Sequence, residues 1–352
     1  MHARYRQRAC PRGIHSPRIA RFEPKQLLFV AAAVACMLPW VGPPLALAAG
    51  MLFALAGLSA FPSESKKLSR LIIQVCIVLL GLRIELGELM RHAGSGLLFA
   101  AGTILAAFAL GFALQRFLKT STELTLLISS GTAICGGSAI GAVSAAIGAS
   151  SSSVSVATGA IFLLNAAALY CFPPIGHALG LSDTQFGTWA GVAIHDMSSV
   201  VGAGAAYRVG ATEALDTANL VKLSRVIWIL PCTLFAAWII ARERRETGKA
   251  SIQTSGGDRK SLPLRVMGLV PFFIILFLVA SLVRTALPVL GDYEAIVNQI
   301  AKAGFACALF LIGSGLSLST LRSVGWRALV QAFILWVALA TASLVVVIRT
   351  VN

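Results

Sequence analysis

Apolar runs of roughly 20 residues, each long enough for one helical crossing of a bilayer, follow one another from Leu27 almost to the C-terminus. No water is at hand in hydrocarbon to bond exposed backbone groups, so such runs can only be helices that satisfy their own N–H and C=O groups. They fall at about 27–41, 44–61, 68–90, 95–118, 121–148, 153–172, 184–206, 217–241, 264–287, 293–320 and 325–348, with Pro43-Pro44, Pro62, Pro173-Pro174 and Pro288 at the joints. A chain of 352 residues that is 57% hydrophobic and 12% charged leaves no room for a soluble catalytic domain. The fold class is therefore an all-α polytopic membrane protein. Residues 1–25 read as a disordered basic cytoplasmic tail, and 26–352 as one transmembrane domain with a cytoplasmic loop at 242–263.

Two of the runs are interrupted, and in related ways. Gly131-Thr-Ala-Ile-Cys-Gly-Gly-Ser138 and Gly191-Val-Ala-Ile-His-Asp-Met-Ser198 align without a gap at an offset of 60 residues, as do Ala145-Ala146 and Ala205-Ala206. Glycines and small hydroxyl residues inside an apolar run suit a helix that breaks at membrane depth, where the freed backbone groups must line a cavity. Paired breaks in two repeats point to the binding site of a secondary transporter. The competing reading is close helix packing through small residues, which does not account for the adjacent His195 and Asp196.

Charge bias sets the topology. Arg4, Arg6, Arg8, Arg12, Arg18 and Arg21, with Lys66, Lys67 and Arg70, place the N-terminus in the cytoplasm, and so does the basic loop at 242–263. An even number of crossings must precede that loop. The two interrupted segments therefore either both cross, giving about 11 spans, or both turn back, giving 9. Crossing is the expectation, since each segment is long enough to span. If both turn back, they enter from opposite faces, as inverted repeats do. Gly81–Leu86 faintly echoes Gly315–Thr320. The tail and first run could pass for a cleavable signal peptide, but the apolar pattern continues through Ala60. The net charge of +15 sits in the tail and short loops rather than on one face, which argues against nucleic acid. Seven cysteines without paired spacing argue against a disulfide framework or a metal site. No Gly-x-x-x-x-Gly-Lys-Ser/Thr loop marks a nucleotide-driven pump, and no cofactor is expected.

Ionisable residues at membrane depth are functional suspects. Of the 14 acids only Asp196 lies well inside an apolar run. Its neighbour His195 belongs to the side-chain type that titrates near neutral pH, so the pair reads as a proton relay for coupling; its alternative is a structural link at the break. A half-helix that starts at a break offers unpaired N–H groups and the positive end of its dipole to an anion. Gly136, Gly137, Ser138, Ser198 and Ser199 are the candidates for binding. Lys222 and Arg225, one turn apart, form a positive wall for an anion or snorkel to the surface. Arg83, Arg208, Arg284 and Lys302, near span ends, read as snorkelling, and Asn165 as a bond across helices.

Ile134-Cys135-Gly136-Gly137-Ser138-Ala139-Ile140, the Ala193-Ile194-His195-Asp196 stretch with Val200-Val201-Gly202-Ala203, and Lys222-Leu223-Ser224-Arg225-Val226 together resemble the YeiH-like bacterial inner-membrane proteins, a group that carries a sulfate-exporter label. The resemblance runs from about residue 25 to the C-terminus. It implies an inverted-repeat secondary transporter related to the cation/proton antiporters and bile-acid symporters, in the cell inner membrane, with sulfate or a related sulfur oxyanion as substrate. Met197-Ser198-Ser199 stands where members often carry Ala-Gln, so a hydroxyl replaces an amide. The expected function is secondary transport of a small anion coupled to protons or exchange, with protonation of His195 strengthening binding. A passive anion channel and an intramembrane enzyme using Cys135 and His195 are the alternatives. The oligomeric state is open, a homodimer included.

Overall fold

A computed structural model describes residues 24–83, 86–208, 213–246, 272–315 and 325–351. The basic tail before residue 24, the loop beyond residue 246 and most of the Gly315–Thr320 echo lie outside them. Among the described residues all regular structure is helical. Five helical stretches are long and apolar enough to cross a membrane, at Leu97–Leu118, Ser151–Ala178, Glu213–Glu246, Pro288–Ser314 and Trp326–Thr350.

The first interrupted segment is α5 (Thr122–Ala133) followed by α6 (Gly137–Ile147), and the second is α8 (Asp183–Ala193) followed by α9 (Met197–Tyr207). The 60-residue offset of the sequence repeat carries over, since both second halves begin and end in register. Serines start the first halves. Ser121 Oγ accepts from Leu124 N, and Ser182 with Gln185 forms a capping box. Between the segments runs α7 (Ser151–Ala178).

Each interrupted segment doubles back on itself. At the first, Ser150 donates its backbone N–H to Glu123 Oε1 at 3.0 Å and its hydroxyl to the same atom at 2.8 Å, which joins the start of α5 to the exit from α6. At the tip, a Cβ on Gly131 would lie 2.9 Å from Ile140 Cδ1, a contact that a straight helix could not bring about across nine residues. At the second, Tyr207 OH donates to Leu181 O at 2.6 Å, the Phe186 and Tyr207 rings stack 3.7 Å apart, and Arg208 pairs with Asp183 at 3.3 Å. The expectation that both segments cross is thereby corrected. An apolar stretch of 23 residues fits two half-helices of about 11 residues in a hairpin as well as one crossing, and local sequence does not separate the two.

The hairpins enter from opposite ends of α10 (Glu213–Val226) and α11 (Ile229–Glu246), which follow one another as a 34-residue rod. The base of the first meets the end of the rod, where Thr122 donates to Glu243 and Arg244 donates to the Ile147 carbonyl. The base of the second meets its start, where Thr184 donates to Glu213, while Gln185 donates to the Val351 carbonyl. About 45 Å of helix separates the two bases at about 1.5 Å per residue. The tips meet near the middle. Gly187 and Gly191 allow this, because a Cβ there would fall 2.6 and 2.8 Å from the Ala214 and Ala218 carbonyls. Small residues thus bring α8 against α10 at backbone distance.

The hairpins, α7, α10 and α11 pack with α4 (Leu86–Leu118) and α14 (Trp326–Thr350) around the largest apolar core. A second group consists of α1 (Pro24–Ala35), α2 (Pro43–Leu55), α3 (Pro62–Gly81), α12 (Phe272–Ala286) and α13 (Glu294–Ser314). Glycines make its contacts close as well. A Cβ on Gly50 of α2 would collide with the Phe310 carbonyl, and one on Gly81 of α3 would lie 2.6 Å from the Phe277 carbonyl.

The hairpin geometry is checked by cross-linking. In a background with the native cysteines replaced, cysteine pairs at Glu123 with Ser150 and at Asp183 with Arg208 should each be joined by a short bifunctional reagent. Crossing segments would hold those ends about 30 Å apart and leave both pairs unlinked.

Candidate functional site at the hairpin tips

The breaks are built differently. In the first, Ile134 leaves helical geometry (φ −115°, ψ −88°) and Gly136 takes φ +63°, ψ −123°, a conformation open to glycine and strained for a residue with a Cβ. In the second, Ile194 (φ −85°, ψ 131°) and Asp196 (φ −101°, ψ 146°) bracket a short extended stretch. The two meet: a Cβ on Gly136 would lie 3.5 Å from the His195 carbonyl oxygen and 3.6 Å from Asp196 Cα.

Ending a helix inside a bundle strands carbonyls at its negative pole. Two cations of α10 close both poles. Lys222 Nζ donates to the Ile194 carbonyl at the end of α8. Arg225 donates from Nε at 2.9 Å and from Nη2 to the Ala133 carbonyl at the end of α5, and from Nη1 to Thr103 Oγ1 of α4 at 2.9 Å. Both side chains are fully buried. Their one-turn spacing serves one helix end each, and their burial sets aside the snorkelling alternative. The role of Thr103 carries no sequence signal, being one hydroxyl in an apolar helix.

Extended backbone sends successive side chains to opposite sides, and this separates His195 from Asp196. The His195 ring is fully buried, its centroid 6.4 Å from that of Trp336 on α14, and neither ring nitrogen has a hydrogen-bond partner among the described residues. The Cys135–His195 hydrogen bond that an intramembrane nucleophile would use is not formed. Asp196 turns the other way, accepts a hydrogen bond from Ser198 Oγ and lines a small cavity with Asn165, Ser199, Phe162, Leu47 and Leu309. That cavity lies where α2 and α13 of the second helix group face α7 and α9. Ser138 does not reach it: it is exposed on α6, and Gly137 beside it is partly buried near the Phe162 ring.

Asn165, expected to bond across helices, does so to the second break. Its Oδ1 accepts from the backbone N–H groups of His195 at 3.1 Å and Asp196 at 3.2 Å. Arg83, read from the sequence as snorkelling, is instead buried and polar-bonded. It donates to both carboxylate oxygens of Asp216 on α10 at 3.0 Å and pairs with Glu294 of α13 at 2.9 Å. Its partners are distant in sequence, at separations of 133 and 211 residues, so local patterning could not reveal them.

Replacing Asn165 by leucine strands two buried amides, each costing about 1–3 kcal/mol. Asn165→Leu should therefore lower the melting temperature of the purified protein well beyond the change produced by a neighbouring apolar swap such as Leu163→Ile. An unchanged melting temperature would show that the break does not depend on this carboxamide.

The family model described as Conserved hypothetical protein 698 matches residues 39–332. A UPF0324 membrane protein of Bacteroides thetaiotaomicron is 40% identical over 306 residues, 87% of this chain and 86% of its own. A UPF0324 membrane protein of Vibrio vulnificus is 37% identical over 91% of this chain and 97% of its own, and one of Geobacter sulfurreducens is 38% identical over 90% and 94%. No solved structure matches the chain. With a membrane-type helical fold and relatives aligned over most of their length, the chain belongs to the Conserved hypothetical protein 698 family, the YeiH-like UPF0324 membrane proteins.

Proposed function

We propose that this membrane protein is a secondary transporter of a small anion, coupled to protons, with nine crossings and two opposed re-entrant hairpins related as inverted repeats. The observation that carries the reading is the meeting of two half-helix hairpins from opposite faces beside a small cavity, lined by Asp196, Asn165 and Ser199 among apolar residues, between two helix groups, an arrangement suited to presenting one site alternately to either side. In this reading the N-terminus and the 242–263 loop are cytoplasmic, as the basic residues require, and the membrane is the cell inner membrane.

Arg83 supports alternating access. It ties α3 and α13 of one helix group to α10 of the other through Asp216 and Glu294. The link lies at the α10 end where the second hairpin enters. A buried arginine paired with two partly exposed carboxylates across two packed groups is a discrete contact that is either made or broken, which suits a latch on one face better than a continuously deformable seam. We read the described conformation as closed on that face.

Coupling falls to Asp196 rather than to the His195–Asp196 pair, because Asp196 alone of the two faces the cavity while His195 packs into the core. An ionised carboxylate opposes a bound anion, so loading a proton onto the Asp196 site favours anion binding. At an effective dielectric of about 20, removing a charge about 6 Å away is worth on the order of 2–3 kcal/mol. Lys222 and Arg225 hold the half-helices in place, and Ser198 orients the carboxylate.

Reconstituted protein tests the assignment. With a trapped pH indicator, a panel of small anions should include one whose flux carries protons. Asp196→Asn should abolish uphill accumulation driven by a pH gradient while leaving anion exchange. His195→Gln, made with the core intact, should keep the parental coupling. Equal coupling in Asp196→Asn and parent would defeat the assignment, and proton-free downhill flux alone would favour a channel.

A further inference from the structure

The cavity beside Asp196 presents a specific set of unmatched groups. Asn165 is buried, and its carbonyl oxygen is committed to two backbone amides, so the end left over is an NH2 donor; Nδ2 has no partner. Asp196 receives one hydrogen bond, from Ser198 to Oδ2, and its other oxygen has no donor among the described residues. Ser199 adds a hydroxyl that can give or accept, and Leu47, Phe162 and Leu309 supply apolar wall. Lys222 and Arg225 keep their positive charge behind the breaks, but they are bonded to helix-end carbonyls and do not line the cavity, so the hydrogen-bonding groups that a ligand meets there are those of Asn165, Asp196 and Ser199.

A fully ionised oxyanion would meet the Asn165 donor but set its charge against the Asp196 carboxylate. A buried polar group left unmatched costs more than a matched one gains. The ligand that satisfies both sides carries one acceptor oxygen and one acidic O–H, next to a small apolar group. Resting on the transport reading above, we propose that this cavity, which has room for about one water in the described conformation, widens as the two helix groups part and then takes a small weak acid in its protonated form. The acid's C=O accepts from Asn165 Nδ2 and its O–H donates to the Asp196 carboxylate, with Ser199 on either oxygen. Anion and proton then enter the site together, and the proton is held between ligand and Asp196 with no other acceptor needed. Strong-acid dianions such as sulfate, which keep no proton near neutral pH, are excluded by the same groups. The charged and titratable neighbours of Asp196 are Lys222 on α10, Cys135 in the first break and His195 on the far side of its own strand. The faces of α2, α7 and α13 that line the cavity contribute none.

The test is ligand binding to the purified full-length chain, read as stabilisation or by calorimetry, with acetate, acetamide and sulfate as probes at pH 6 and pH 8. Acetamide carries the same acceptor and donor pair as acetic acid but does not titrate in this range. Both pH values lie above the carboxylic range, so the protonated fraction of acetate falls about 100-fold between them. Acetate affinity should fall by about the same factor, acetamide should bind equally at both, and sulfate should not bind. Asp196→Asn should flatten the acetate profile, and Ser199→Ala should weaken acetate and acetamide alike while leaving the melting temperature of the free protein near that of the parent. Acetate binding that does not change with pH, sulfate binding tighter than acetate, or no binding of acetate and acetamide to folded protein would each overturn the proposal. Tight sulfate binding with proton-linked flux would leave the transport reading standing, whereas absence of any anion flux in liposomes would remove that reading whichever probe binds.

Discussion

Two buried cations on one turn of α10 hold the centre of this protein together. Breaking a helix within a bundle exposes carbonyls at its negative pole, and the chain does this twice, at Ala133 and Ile194. Lys222 and Arg225 answer both, one each, from positions three residues apart. A charge-assisted hydrogen bond of this kind is worth about 1.5–3 kcal/mol. Leaving either cation buried and alone would cost more than that. The hairpins and α10 are therefore mutually dependent: the breaks give the cations partners, and the cations make breaks tolerable at a depth where water is scarce.

From this constraint the polarity of the site follows. With the C-terminal poles of their first halves closed by α10, the hairpins part ways: α9 packs against α2 and α13 of the other helix group, while α6 packs against α11 and α7. The N-terminus of α9 brings its own carboxylate in Asp196, so it is not a bare positive pole waiting for an anion. The N-terminus of α6 carries none, but Ser138 there is exposed and outside the cavity. Protein donors and one carboxylate thus face the cavity together, while the full positive charges sit behind them on backbone oxygens.

Much of this was legible in the residues. The ungapped repeat foretold two breaks in equivalent places, and Gly136 and the residues around Asp196 are where they occur. Asn165 stood out as an amide in an apolar run, and Lys222 with Arg225 as a pair of cations on one helix face. Three features were hidden for physical reasons. Apolar length cannot distinguish a crossing from a hairpin of two half-helices, which is settled by contacts such as Glu123 with Ser150. Adjacency of His195 and Asp196 suggested a working pair, but extended backbone at the break points them apart. Arg83 looked like a span-end residue because its partners, Asp216 and Glu294, lie far along the chain.

The mutual dependence of hairpins and cations can be measured one hairpin at a time by hydrogen–deuterium exchange of the purified protein. Arg225→Met should raise deuterium uptake across 122–147 with little change at 183–207, and Lys222→Met should do the reverse. Equal loosening of both hairpins in each variant, or no loosening in either, would contradict the assignment of one cation to each broken helix.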